Sequence, residues 1–174
     1  MPKILDWQRT ADAPSVARVC RILFVCTGNT CRSPLAEALC KRRLAGRLGC
    51  AIEELPSRGF IVLSAGLAVM IGERAAVDAV AIAQTYGADL AGHATQPVTA
   101  ELLAQADHVL TMTQGHLQVL GSYFPDSAAA PRLLAPDGED LADPIGCDRE
   151  VYEECARKIW AYLEGFVEEV VAHG

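Results

Sequence analysis

Residues 21 to 39 leave this chain few choices of local shape. Arg21-Ile22-Leu23-Phe24-Val25 is a short apolar run of the kind buried in a parallel sheet. Cys26-Thr27-Gly28-Asn29-Thr30-Cys31-Arg32 follows it. Ser33 and Pro34 come next, a good N-cap and a good first helical residue. Leu35, Ala38 and Leu39 then recur at helical spacing. A strand, a short loop and a helix start in that order make an anion cradle. The loop N–H groups turn inward, and the helix dipole adds partial positive charge.

The side chains of that loop suit attack on the anion it would hold. Only a thiolate is an effective sulfur nucleophile. The helix N-terminus, Arg32 and the Ser33 hydroxyl would each favour that form at Cys26. Gly28 permits a tight turn, and Asn29 tolerates a left-handed backbone. A bare Cys and Arg six residues apart is a common coincidence. The strand before it and the helix after it supply the information. The bland alternative, Cys26 as an inert buried thiol at a strand end, leaves that context unexplained.

The remaining chain reads as strands alternating with helices. The first helix is expected from Pro34 to about Leu48, with Lys41, Arg42, Arg43 and Arg47 as a solvated basic face. A turn-rich connection, Gly49 to Gly59, leads to a strand at Phe60 to Ser64. Ala75 to Tyr86 reads as a helix ended by Gly87. Thr99 caps a short helix through Ala104. His108 to Met112 reads as a third strand, Gln114 to Gly121 as a helix, and Arg132 to Leu134 as a short fourth strand. The last helix, Arg149 to Ala172, aligns Tyr152, Cys155, Ile159, Leu163, Phe166 and Val170 on one core-facing stripe. The expected fold class is α/β: a single domain with a four-stranded parallel sheet covered by helices on both faces. Ligands in such folds sit at the carboxyl ends of strands, where Cys26 falls. Residues 1–18 are expected as an extension in which Trp7 is the residue to dock, and residues 19–174 as the domain.

Composition narrows the function. At 174 residues and 51% hydrophobic content, one domain with a sizeable core is expected. A net charge of −7 argues against a nucleic-acid surface. Asp6, Arg9 and Asp12 interrupt any apolar stretch near the start, so no signal peptide is expected. The region from Phe60 to Ile71 is too short and too rich in Gly to span a bilayer. Seven cysteines lack a disulfide-framework spacing, which fits a reducing cytoplasm. The four histidines show no metal-ligand spacing, so neither metal nor organic cofactor is expected, and His108, His116 and His173 receive no role. A loop carboxylate is needed as general acid. Asp143 precedes Pro144, which keeps it extended and able to swing over the site. Asp126, Asp137, Asp140 and Asp148 are rivals that the residues alone do not eliminate.

Val25-Cys26-Thr27-Gly28-Asn29-Thr30-Cys31-Arg32-Ser33-Pro34-Leu35-Ala36-Glu37 resembles the signature of the low-molecular-weight protein tyrosine phosphatases. Ser64-Ala65-Gly66, His93, Asp107 to Met112 and Asp143-Pro144 extend the likeness over about residues 19 to 172. The resemblance implies the fold of that family and a set of roles. Cys26 would form a phosphocysteine. Arg32 would clamp two phosphate oxygens, and Thr27, Gly28, Asn29, Thr30, Cys31 and Ser33 would complete the phosphate loop. Ser33 would hydrogen-bond the thiolate. Asn29 would hold a strained backbone through Ser33, Ser64 and His93. Asp143 would protonate the leaving group and then activate water. The resemblance also implies that Cys26 and Cys31 form a reversible disulfide.

Two departures bear on the substrate. Thr30 stands where tyrosine phosphatases usually carry a bulkier aliphatic residue. Ile145-Gly146 replaces the aromatic pair that often walls the phosphotyrosine ring. Both features, with Thr111-Met112-Thr113-Gln114-Gly115-His116, resemble the bacterial protein-arginine phosphatase branch. The implied substrate is a phosphorylated protein, with a lean to phosphoarginine over phosphotyrosine, handled by a monomer or weak dimer. Arsenate reductase on the same fold needs relay cysteines, and none lies between Cys50 and Cys147. A non-catalytic phosphate-binding regulator would not need Cys26, Arg32 and Asp143 together.

Overall fold

β1 (Cys20–Cys26) forms on the apolar run and is one residue longer at each end than its core. In this computed structural model, which describes residues 19–173, it is a central strand of a four-stranded sheet. β2 (Phe60–Gly66), β3 (His108–Thr111) and β4 (Arg132–Leu133) complete that sheet in the order β2-β1-β3-β4. Every pairing is parallel, with Cys26 opposite Gly66 and Val25 opposite Thr111. The chain leaves β1 for one side and later returns to the other. Cys26 therefore lies at the switch point, where the carboxyl ends open a crevice.

The pleat of β1 feeds two unequal cores. Ile22, Phe24 and Cys26 point into the larger, and Leu23 and Val25 into the smaller. The larger core is roofed by α1 (Arg32–Leu48), α2 (Val77–Thr85) and α5 (Arg149–His173). The smaller is closed by α3 (Ala100–Gln105) and α4 (Gln114–Tyr123), through Leu102, Leu103 and Leu120. The expected stripe of α5 is buried in full, and Phe166 meets Phe24 edge-on at 6.3 Å between ring centroids. A residue such as Phe24 contributes roughly 1.5–3 kcal/mol by leaving water.

Element edges moved where tertiary contacts outweighed local signals. α1 begins at Arg32, with Cys31 rather than Ser33 as its N-cap. Ser33 is instead held by the loop, and Pro34 falls in the first turn, where helical N–H groups have no partner to lose. β2 runs on to Gly66 because the sheet continues to pair there. α2 is shorter than expected, starting at Val77: Ala76 keeps a non-helical ψ of 141°, and its N–H donates to Thr30 O at 2.9 Å. The Gly49–Gly59 connection contains two single-turn 3-10 helices, Ile52–Glu54 and Pro56–Arg58. The basic face of α1 is partnered rather than simply solvated. Lys41 pairs with Glu37 at 2.5 Å, Arg47 with Glu168 at 2.7 Å, and the Arg43 guanidinium stacks 3.9 Å above Trp160. The expected 1–18 extension and its docking Trp7 lie outside the described residues. No helix of the described residues is long and apolar enough to cross a membrane.

Candidate active site

The loop between β1 and α1 closes around the Cys26 sulfur. The Ser33 hydroxyl lies 2.9 Å from Sγ, and the Asn29 N–H donates to it at 3.3 Å. Cys26 is 3% exposed, so only a small group entering the loop can reach it. β1 delivers the sulfur, and the first turn of α1 delivers Ser33 and Arg32.

Asn29 is the keystone of the loop. Its φ of 57° is left-handed, and it is the non-glycine residue with that geometry among those described. Its Nδ2 donates to Ser33 Oγ at 2.9 Å and to Ser64 Oγ at 3.0 Å. Its Oδ1 accepts from the Gln96 N–H at 3.0 Å, and its carbonyl oxygen lies 2.7 Å from His93 Nε2. With both Nδ2 hydrogens committed, the Ser33 oxygen is filled from one side and its own proton is available to Sγ. The structure thus brings Ser33, Ser64 and His93 together on Asn29.

Further support comes from Glu37, Gln96 and His116, whose roles at the site were not legible in the sequence. Glu37 is buried and accepts from the Ser64 hydroxyl at 2.6 Å, while Lys41 neutralises it from the surface. Gln96 is buried, and its Nε2 donates to Ser64 O at 2.9 Å. His116, to which no role was given, has Nε2 only 3.0 Å from Thr27 Oγ1. Burial, aided by the positive Arg32 nearby, pushes His116 down to about 4, so its ring is neutral. The available clue was positional: the Thr113 cap puts residue 116 in a first helical turn at the carboxyl end of β3.

Arg32 joins the loop to the carboxylate. Its Nη2 donates to Asp143 Oδ2 at 2.8 Å, and its Nη1 to Leu141 O at 3.0 Å. Arg32 Nε is buried with no hydrogen-bond partner among the described residues. A buried, unmet donor on a cation costs free energy that a bound oxyanion would relieve. Asp143 is the exposed member of the pair, with its Oδ1 accepting from the Ile145 N–H at 3.2 Å. Of its rivals, Asp140 binds the Gln114 N–H at 2.7 Å and Asp137 lies 3.3 Å from the Tyr162 hydroxyl.

Cys31 is buried under the loop, 3.5 Å from the Tyr152 hydroxyl and 3.6 Å from Thr30 Oγ1. Burial raises its pKa above the ordinary thiol value. Thr30 is half-buried and Thr27 exposed at the rim. Among the described residues no group of three or more His, Cys, Asp or Glu is arranged to hold a metal ion.

The family model described as low molecular weight phosphotyrosine protein phosphatase matches residues 21–173. The chain belongs to this family. A protein-arginine-phosphatase of Geobacillus stearothermophilus is 33% identical over 86% of this chain and 95% of its own length. The low molecular weight protein-tyrosine-phosphatase Etp of Escherichia coli is 30% identical over 80% of this chain and 91% of its own. A solved YwlE arginine phosphatase, a cysteine-to-serine mutant with a phosphorylated active-site serine, superposes with a TM-score of 0.76 at 32% identity. That match covers 86% of this chain and 95% of the other.

Proposed function

We propose that this phosphatase hydrolyses phosphorylated side chains of proteins through a phosphocysteine at Cys26, with phosphoarginine as the preferred substrate. The unmet Arg32 Nε, with the Asn29 N–H turned to the Cys26 sulfur in the same loop, is the observation that carries the phosphate reading. The YwlE mutant with its phosphorylated active-site serine supports a covalent intermediate at the equivalent position.

The reaction runs in two balanced steps. The Cys26 thiolate forms a bond to phosphorus as the bond from phosphorus to the leaving atom breaks. Asp143, in its protonated form, gives its proton to the departing guanidine nitrogen or phenol oxygen. Asp143 then takes a proton from water as that water attacks phosphorus. Inorganic phosphate leaves and the thiolate is restored. Arg32 spans two equatorial oxygens in a planar fork that lysine lacks, and general acid help is worth about 10²–10⁴ in rate.

The lean to phosphoarginine rests on Thr30 and on the mouth. Thr30 places a small hydroxyl in the loop. Ile145, 59% exposed, stands after Asp143-Pro144 in place of an aromatic wall. A polar guanidinium gains from the hydroxyl what a flat apolar ring does not. Protein-arginine and protein-tyrosine phosphatases both occur among the relatives, so the decisive measurement is kcat/KM on phosphoarginine against phosphotyrosine. Wild type is expected to prefer phosphoarginine, and Thr30→Ile to shift the ratio toward phosphotyrosine by about tenfold, as loss of one hydrogen bond predicts. A strong phosphotyrosine preference untouched by Thr30→Ile sinks the arginine reading. Quenched turnover should leave phosphorus on Cys26, and Cys26→Ser should abolish multiple turnover.

Cys31 supplies a second chemistry. Peroxide would convert the Cys26 thiolate to a sulfenic acid, and the Cys31 thiol would displace hydroxide as water to give a disulfide. Peptide mapping after mild peroxide should recover a Cys26–Cys31 link. Sulfinic acid at Cys26 with Cys31 untouched is the contrary result.

A further inference from the structure

The first turn of α4 is bonded to two separate parts of the site. On one side His116 Nε2 lies 3.0 Å from the hydroxyl of Thr27, the residue after Cys26. On the other, the Gln114 N–H donates to Asp140 Oδ1 at 2.7 Å, on the segment that carries Asp143. The same seam is stitched by the backbone, where Leu141 N–H donates to Met112 O at 2.9 Å. Arg32 also bridges the two parts, through Asp143 and Leu141. Its bond to Asp143, however, is lost once an oxyanion takes the guanidinium. The contact of Arg32 with Leu141 O and the bridge through the α4 turn do not depend on that bond.

We propose that this turn is the spacer that sets Cys26 against Asp143, with His116 and Asp140 as positioning residues for the nucleophile loop and the acid segment respectively. The inference rests on the reading of Cys26 as nucleophile and Asp143 as acid. Sulfur attacks phosphorus from one side while the proton arrives on the other, so the distance between the two groups must match the span of the reacting bonds. Misplacement by about an ångström costs on the order of 10²-fold in rate. His116 is suited to its end because it is buried, with Nδ1 lacking a partner among the described residues and Nε2 spent on Thr27. Asp140 is suited to the other because its exposed carboxylate tethers a loop rather than filling a core.

The two residues act on different halves, and the halves differ in what they help. The phosphate loop serves every ester. The acid matters only when the leaving group needs a proton. Phenyl phosphate expels a phenol as basic as tyrosine, pKa about 10, and depends on the acid. Para-nitrophenyl phosphate expels a stable anion and does not.

The test compares kcat/KM on both esters, and inhibition by inorganic phosphate, for Asp140→Ala, Asp140→Asn, His116→Ala and His116→Gln. Asp140→Ala should lose about tenfold on phenyl phosphate and less than about threefold on the nitrophenyl ester, a fraction of the full general-acid effect. Phosphate inhibition should stay put. Asp140→Asn, which still accepts from Gln114, should recover most of the loss. His116→Ala should lose about tenfold on both esters alike and weaken phosphate inhibition, as expected for a slackened loop. His116→Gln, whose amide still reaches Thr27, should recover and carries the test if the alanine variant does not fold. Equal losses on both esters for Asp140→Ala, an asparagine no better than alanine, or a silent His116→Ala would overturn the proposal. Turnover surviving in Cys26→Ser would instead fault the phosphocysteine reading beneath it.

Discussion

Asn29 and His116 illustrate what single residues do here. A left-handed φ costs a residue other than glycine about 1 kcal/mol or more, and asparagine bears it with least strain. Five hydrogen-bonded partners outweigh that cost at Asn29. The sequence displayed this residue plainly, because few side chains other than asparagine can occupy the turn. His116 entered only as the end of the Thr111–His116 run that resembles the arginine-phosphatase branch; its own role was not legible, because one hydrogen bond to Thr27 creates no pattern along the chain. Its chemistry nevertheless sets an acid dependence. Burial holds its native pKa near 4, below the ordinary value of about 6.5. The unfolded chain therefore binds a proton that the native state refuses between those two values. This contribution is intact above about pH 6.5 and is lost progressively as pH falls to about 4, by roughly 3 kcal/mol in all. Urea midpoints measured from pH 7 to pH 4 should fall more steeply for wild type than for His116→Gln. Parallel slopes would place the titration elsewhere.

At the scale of elements, β1, the loop and α1 were legible together because each restricts the next. The α5 stripe was equally legible, since its burial follows helical spacing. The helix start expected at Pro34, with Ser33 as its cap, was misread for a physical reason. A serine before a proline is a good cap in isolation, but here its hydroxyl is committed to Cys26 and Asn29. The end of β2 hid a constraint of another sort. A Cβ on Gly66 would sit 2.7 Å from Thr27 O and 3.0 Å from Asn29 Cβ. The backbone of β2 touches the back of the phosphate loop, and only a missing side chain allows it. Gly66→Ala should therefore cost about 2 kcal/mol as an overpacking change. It should also lower kcat/KM beyond what the lost folded fraction explains. Measuring activity per folded molecule, with the folded fraction from circular dichroism, separates the two effects; unchanged activity per folded molecule would refute it.

On the scale of the whole molecule, the alternation of apolar runs and helical stripes foretold a parallel sheet with helices on both faces. It did not foretell how distant segments meet, because such contacts leave no local periodicity. Arg32 and Asp143 are 111 positions apart and end in one ion pair. That pair has a thermodynamic outcome for every ligand. On the reading proposed above, anion entry would be an exchange, in which the incoming phosphoryl group displaces a negative charge already seated on the guanidinium. Affinity for substrate and for inorganic phosphate alike would then be lowered by the contact given up, which would hasten clearance of the spent anion. Asp143→Asn removes the competing charge and the proton donor at one stroke. It should bind inorganic phosphate about fivefold more tightly, as loss of a partly exposed ion pair predicts, while hydrolysing phenyl phosphate far more slowly. Titration calorimetry beside steady-state rates would expose those opposite signs, and weaker phosphate binding by the variant would refute the exchange.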